Sequence, residues 1–521
     1  MQIPSLPFKI LALGSFRPLE ERAWDQNPIP VGKANVDQVL EDLSLSLDIP
    51  LPGDLCPPLG LPLHFKKLKD FHPDRILENT PFLKNILDAK RFIEISKTRG
   101  LSEEETFQRL LTWPGFPQNI ELKPRKPKGP PTNAVENILE MVAVPGEGPA
   151  PPREAQSLLE QMDAFLQRIL KHILADENFR NLESVWQGLR LVLRQGSRNG
   201  DLSLEVVPIS FETLAETLDG LMGRLIQDLP SLLIIDLPFD NSARSIEYIE
   251  KISLFAETLL VPVIIPITPK FFYLQSWEDL PKIPFLPHYL QEPAFAKWRH
   301  FKETPSSRWV ALTCNRLLAR YPYGPNNETR LVRLEESGSL WISPVWALGS
   351  LIGQSFLKTG WPTRFTDWQE IRLEDLPLRP TGGNQLISTE AAFSEDRISQ
   401  FIRAGITPLV SSLNQDFAFV PAETTVAGGS LGYQLFLSRI TNFLFWCKDH
   451  FPPDLEASAI ETGLQRAITL FGEKTGPFPS SNLDVSVARP KPGEPAIVKV
   501  LLQPPRQILP SGDKVELEFH W

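Results

Sequence analysis

The sequence predicts a mixed α/β fold, in which a central, partly parallel sheet is flanked by helical layers and a strand lies near each chain terminus. Leu232-Leu-Ile-Ile-Asp236 and Val261-Pro-Val-Ile-Ile-Pro266 are short apolar runs separated by a helical pattern from Ser242 to Leu259. Strand, helix, strand in that order implies a parallel βαβ unit. Leu158, Met162, Phe165, Leu166, Ile169, Leu170 and Ile173 keep helical spacing, which gives the helical layer its best-defined member. At the far end, Val515, Leu517, Phe519 and Trp521 alternate with Glu516, Glu518 and His520, the period-two pattern of a half-buried strand.

The remaining elements follow in chain order. Pro7 to Gly14 reads as a strand running into a glycine turn, with Phe8, Ile10 and Ala12 on one face and Leu11 and Leu13 on the other. A helix is expected from Asn35 to about Leu47, on the stripe Val36, Val39, Leu40, Leu43, Leu47. Leu61 to Phe65 reads as a strand. Phe71 to about Ser96 reads as helical, with Pro73 and Pro81 where a first turn tolerates proline.

From about 112 to 153 prolines recur among glycines and lysines, which is linker chemistry, extended and poor at building a core. One apolar island interrupts it, Ala134 to Val142, long enough for two helical turns with Val135, Ile138, Leu139 and Val142 on one face. Further helices are expected over Arg180–Gln195, Phe211–Gln227, Trp341–Thr359 and Gly429–His450. Strands are expected over Leu202–Val207 and Ala496–Leu502, the latter carrying Ile497, Val498, Val500 and Leu502.

Composition narrows the function classes. The chain has 521 residues, room for roughly three domains, and its 51 prolines against 30 glycines predict helices that stop at prolines and many rigid turns. A formal net charge of −10 is the wrong sign for a nucleic-acid binder. Cys56, Cys314 and Cys447 are far apart and offer no disulfide framework, which suits a reducing, cytoplasmic compartment. No secretory leader is read, and the most apolar stretch, Leu259 to Ile267, falls well short of the ~20 residues that span a bilayer.

Catalytic signatures are sparse. Gly472-Glu-Lys-Thr475 has the tail of a phosphate-binding loop without its leading glycine, and His64 and His72 lack metal-ligand spacing. No cofactor and no metal is expected. Asp70 reads as a cap for the helix beginning at Pro73. Asp236, at a strand end where open α/β sheets host sites, is the carboxylate on which an alternative α/β enzyme reading would rest.

The same segments resemble the small and large sheath proteins of type VI secretion, TssB and TssC (VipA and VipB). Lys69-Asp-Phe-His-Pro-Asp-Arg75 stands where the small protein carries its DFHPD stretch. Phe179 to Leu189 resembles a helix of the large protein, with Gln187 where arginine is usual. Trp298, Arg320-Tyr-Pro-Tyr-Gly324, Gly360-Trp-Pro-Thr363, Thr389-Glu390, Gly405-Ile-Thr-Pro-Leu409 and Leu435-Phe-Leu-Ser-Arg439 follow in family order. The resemblance implies a fusion: a small-protein-like region over 1–111, a linker over 112–153 and a large-protein-like region over 154–521.

It further implies a non-enzymatic subunit that stacks in six-fold rings as a helical sheath around an inner tube, on a baseplate, and contracts. A sheath of a related phage-tail-like particle is the neighbouring alternative. The resemblance assigns the terminal strands to sheets shared between subunits. Phe8, Ile10 and Ala12 at one end, and Ile497, Val498, Val500, Leu502, Val515, Leu517 and Phe519 at the other, are the expected linking residues. Removing residues 1–13 is then expected to leave a folded protomer. Val135, Ile138, Leu139 and Val142 are the expected docking face for an AAA+ ATPase that recycles the contracted sheath.

Overall fold

A seven-stranded sheet organises most of the chain, and its centre sets the N-terminal strand between two strands from residues 202–236. In this computed structural model the described residues are 6–18, 23–53, 55, 60–113, 115–117, 120, 157–195, 201–383, 385–452, 455–475, 482–488 and 495–521. The linker and the island with Val135, Ile138, Leu139 and Val142 lie outside them. Strands β1 (Phe8–Gly14), β2 (Ile29–Val31), β5 (Leu202–Pro208), β6 (Leu232–Asp236), β7 (Val263–Pro266), β8 (Val310–Cys314) and β9 (Ile406–Pro408) run in the spatial order β9-β8-β7-β6-β1-β5-β2. All neighbours are parallel except β2, which is antiparallel to β5.

Strand β1 lies between β5 and β6, with Ile10 opposite Leu204 on one side and Leu232 on the other. All seven of its residues are buried. Strands covered on both faces read as near-continuous apolar runs, and FKILALG is one, interrupted only by Lys9, which pairs with Glu205 at 2.9 Å. The N-terminal strand was expected to be available to a neighbour. Instead, both of its edges are paired inside its own chain, so another copy reaches it only by displacing β5 or β6.

The early helices divide where local chemistry dictates. Helix α1 (Val36–Asp42) ends well before Leu47, and the expectation of a helix to that residue is corrected. Leu45, Leu47 and Ile49 alternate with exposed residues as strand β3 (Leu45–Ile49), which pairs antiparallel with β4 (Leu61–Phe65). Ser44, with φ of 50°, makes the change of direction. Helices α2 (Pro73–Asn79) and α3 (Pro81–Thr98) each begin at a proline, as expected. Helix α4 (Glu103–Leu110) starts with a capping box between Ser102 and Glu105.

Helices α5 (Leu158–Ala175), α6 (Glu177–Gln195), α7 (Leu214–Leu225), α8 (Ala243–Leu259) and α9 (Pro344–Thr359) complete the layers around the sheet. Among them, α6 and α9 cross closely. Trp346 lies over Gly188, where an added Cβ would meet the indole at 2.2 Å, so only glycine fits there.

Helix α10 (Leu431–His450) leaves this body and enters a second core. Its Leu431 and Leu435 pack with the sheet-bearing core, whereas Phe436, Ile440, Phe443, Leu444 and Cys447 pack with the second. Helix α11 (Ala457–Thr475) and an antiparallel sheet of β10 (Leu483–Ala488), β11 (Ile497–Leu502) and β12 (Val515–His520) finish that second unit. No helix among the described residues is long and apolar enough to cross a membrane.

Candidate functional site

Two arrangements stand out: the C-terminal sheet, and the seam where the small region meets the large one. In the sheet, β11 is the middle strand, with Val500 opposite both Val485 and Leu517. Val498, Val500, Leu502 and Val515 point inward and are fully buried, whereas Leu517, Phe519 and Trp521 are only partly covered. On the other face lie Ile497, Lys499 and Leu501, the last 40% exposed, with Lys499 paired to Glu518 at 2.8 Å. The outer edges of β10 and β12 have no partner strand among the described residues. An unpaired edge is a row of free N–H and C=O groups, a template for another strand. The predicted C-terminal linking residues therefore come together on one small sheet, while Phe8, Ile10 and Ala12 sit apart from it in the main sheet.

The seam is built around the DFHPD stretch. Asp70 does not cap the Pro73 helix as expected. It accepts from the backbone N–H groups of Lys66 and Lys67, each at 2.9 Å, and from Asn79 Nδ2. The cap is His72, whose Nδ1 accepts from the Asp74 N–H. Phe71 stacks on Phe65 at 4.5 Å and leans on Phe179 of α6. Asp74 reaches into the large region, accepting from the backbone N–H groups of Arg330 and Leu331. Lys90 donates to the Leu331 carbonyl at 2.7 Å and pairs with Asp163 at 2.8 Å.

The loop that receives Asp74 is held by a buried triad. Arg320, in the segment that resembles the large protein, pairs with Glu183 of α6 at 2.9 Å and Glu336 at 2.6 Å, and its guanidinium covers the Tyr323 ring. The His72 ring meets the other partner of this stack, edge-on to Tyr323 at 5.3 Å. Both carboxylates are nearly fully buried, at 2% and 3% side-chain exposure. Burial pushes the Glu183 carboxyl above its ordinary value, and Glu336 adds to this against the pull of Arg320. Two carboxylates on one guanidinium leave a surplus negative charge, so Arg320 is the group on which the loop depends.

Asp236 has a structural partner. It lies beside Gly14 at the end of β6, and Trp346 Nε1 donates to its Oδ2 at 2.6 Å. Among the described residues no group of three or more His, Cys, Asp or Glu gathers as a metal site. Burial raises the Asp236 carboxyl above its ordinary value. Folding then favours its protonated form, so its contribution is best below the unfolded value and declines as pH rises to the folded one. Asp236→Asn keeps an acceptor for Trp346 and removes the charge. Thermal melts from pH 4 to 8 should show the variant gaining on the parent as pH rises; parallel profiles would contradict the assignment.

Arg439 of α10 was legible only as part of a resemblance. Its guanidinium is buried without a carboxylate among the described residues, over the rings of Phe356 at 4.6 Å, Phe471 at 5.4 Å and Trp361 at 5.8 Å. Burial lowers its pKa to about 10. Phe356 in turn stacks on Phe8 at 5.2 Å, which ties the start of β1 to the second core.

Comparison with known proteins places both regions. Residues 2–112 match the family described as type VI secretion system, VipA, VC_A0107 or Hcp2. Residues 156–224 and 230–427 match VipB, described as EvpB/VC_A0108, tail sheath N-terminal domain. The type VI secretion system sheath protein TssC1 of Pseudomonas aeruginosa is 25% identical over 305 residues, which are 52% of this chain and 61% of that protein. The chain thus spans less than two thirds of this relative's length. A cryo-EM structure of the anti-feeding prophage baseplate aligns with a TM-score of 0.34 and 11% identity, over 65% of this chain and 76% of that one. With the VipB match extending over more than half its length behind a VipA match at its start, the chain belongs to the VipB tail-sheath family and carries a VipA-family region in the same polypeptide.

Proposed function

We propose that this chain is the protomer of a contractile sheath. Copies stack in six-fold rings as a helical tube around an inner tube, on a baseplate, in the bacterial cytoplasm. Contraction drives the inner tube outward through a target envelope. The observation that carries this reading is the succession of VipA and VipB matches in one chain. The role is structural, with energy stored in subunit interfaces that change together. Covalent fusion fixes the two regions at one-to-one stoichiometry. An AAA+ ATPase that recycles the contracted sheath belongs to the same proposal, with the 134–142 island as its docking helix.

Linkage between copies is assigned to the C-terminal sheet, whose partly covered Leu517, Phe519 and Trp521 and free β12 edge favour strand addition. Charged substitutions at fully buried Val515 would damage the protomer itself, so backbone substitutions make the cleaner test. Trp521 N–H donates to the Ala496 carbonyl, and alternation along the strand turns the N–H groups of Glu516 and Glu518 toward the free edge. Glu516→Pro and Glu518→Pro should therefore keep the internal ladder, since proline is tolerated at strand edges. In electron micrographs these variants should be folded but unable to form tubes; tubes of normal length would refute the edge's role.

A further inference from the structure

Arg439 sits where the two cores meet. Along α10, Leu431 and Leu435 belong to the sheet-bearing core, and Phe436, Ile440 and Phe443 to the second. Helical spacing sets Arg439 between those two faces. Its neighbours confirm the position: Phe356 comes from the first core, Trp361 and Phe471 from the second. The residue is only 4% exposed. A buried charge is ordinarily paired, as Arg320 is by Glu183 and Glu336. Arg439 has no such partner. Burial alone acts on its pKa, with no charged neighbour opposing it, and at about 10 the group stays protonated at neutral pH. Aromatic faces attract a guanidinium but replace only part of the hydration it loses.

The unmet demand is for an acceptor. Arg439 Nε is buried and makes no hydrogen bond among the described residues. A second donor in the same pocket shares this condition: Trp361, 1% exposed, has no acceptor for its indole Nε1. Its ring lies 5.8 Å from the guanidinium carbon and stacks on Phe436 at 5.0 Å. Gln434 Oε1, Ser438 Oγ and Thr441 Oγ1 also lack partners, but they recur at i, i+4 and i+7 on another face of α10 and serve neither donor. Two buried donors, one carrying a full charge, require an acceptor that brings negative charge. At 4% exposure the guanidinium is out of reach of a side chain from another protein, whereas a monatomic ion is small enough to enter.

We propose that Arg439 and Trp361 form a buried site for a halide ion such as chloride, at the junction of the two cores. The ion accepts from the guanidinium and from the indole N–H, and it neutralises the charge that the fold leaves unpaired. Its walls come from both cores, so it binds only when the C-terminal unit is seated on the sheet-bearing body. A ligand that binds the folded arrangement alone stabilises it by mass action. The site therefore makes the seating of the unit that carries β10, β11 and β12 dependent on halide, independently of whether copies of the chain assemble.

Thermal melts of the full-length chain test this, with sodium gluconate replaced stepwise by sodium chloride at constant ionic strength and neutral pH. The melting temperature of the parent should rise with chloride and then level off, as one-site binding requires. Arg439→Met keeps the apolar contacts and removes the charge, and its melting temperature should not respond to chloride. Trp361→Phe should shift the parental response to higher chloride. Equal parental melting temperatures in gluconate and chloride overturn the site, and so does an undiminished chloride response in Arg439→Met. Should Arg439→Met fail to fold, crystals of the parent grown in sodium bromide decide the matter. An anomalous peak within hydrogen-bond reach of the Arg439 guanidinium supports the site, and its absence, as when water alone fills the space, overturns it.

Discussion

Arg320→Ala should cost about 3–5 kcal/mol, because it leaves two carboxylates buried with no cation between them. Glu183 and Glu336 have almost no access to water, and neither can relax to solvent without opening the loop that holds the small region. The loss should therefore extend to the seam, where Asp74 and His72 depend on the same loop. Arg320→Lys keeps a charge but not the two-pronged geometry, and should fall between parent and alanine. Adding Glu183→Gln and Glu336→Gln to the alanine variant should recover part of the loss, since the uncompensated charge is the main penalty. Thermal denaturation of the four proteins measures this. Equal melting temperatures for Arg320→Ala and its parent would show that the triad does not hold the seam.

Removing residues 1–13 should abolish folding of the protomer. Phe8, Ile10, Leu11, Ala12 and Leu13 are all fully buried, and each large apolar side chain contributes about 1.5–3 kcal/mol through burial. The sum is on the order of the whole stability of a typical domain, about 5–15 kcal/mol. The deletion also leaves facing edges of β5 and β6 unpaired in the middle of the sheet. Insoluble protein is the expected outcome, with solubility returning when a peptide covering β1 is co-expressed. A soluble, monomeric deletion variant with native circular dichroism would contradict the placement of β1.

The second of these results reverses what the terminal strand suggested by itself. Five apolar residues around Lys9, followed by glycine, identify a strand, but nothing in them names its partners. Pairing with β5 and β6 joins positions about 190 and 220 residues away, a distance over which local pattern carries no information. The helix expected to Leu47 failed for a related reason. Leu40, Leu43 and Leu47 satisfy a helical stripe while Leu45, Leu47 and Ile49 satisfy alternation, and pairing with β4 decides between them.

Elements with a strong internal period were legible almost to the residue: α5, β6, α8 and β12 lie where the spacing put them. Strand β9 was not, since Ile406-Thr-Pro408 is short and ends in proline. It is tolerated because it occupies the sheet edge and pairs only with β8. At the seam, the DFHPD stretch was visible as a motif, but its duties were not. That His72 rather than Asp70 caps α2, and that Asp74 holds two N–H groups more than 250 residues away, follows from packing between regions. The triad was similarly hidden, because Glu183, Arg320 and Glu336 come from three separate segments. Gly188 gave no signal of its purpose until Trp346 was found in the space a side chain would fill.

Cryo-electron microscopy of the purified chain, polymerised with its inner-tube protein, tests the central claim most directly. A contractile sheath predicts a six-fold helical tube in which β10, β11 and β12 of each copy are extended by a strand from a neighbour. Persistent monomers, or a tube in which both edges of that sheet remain bare, would contradict it.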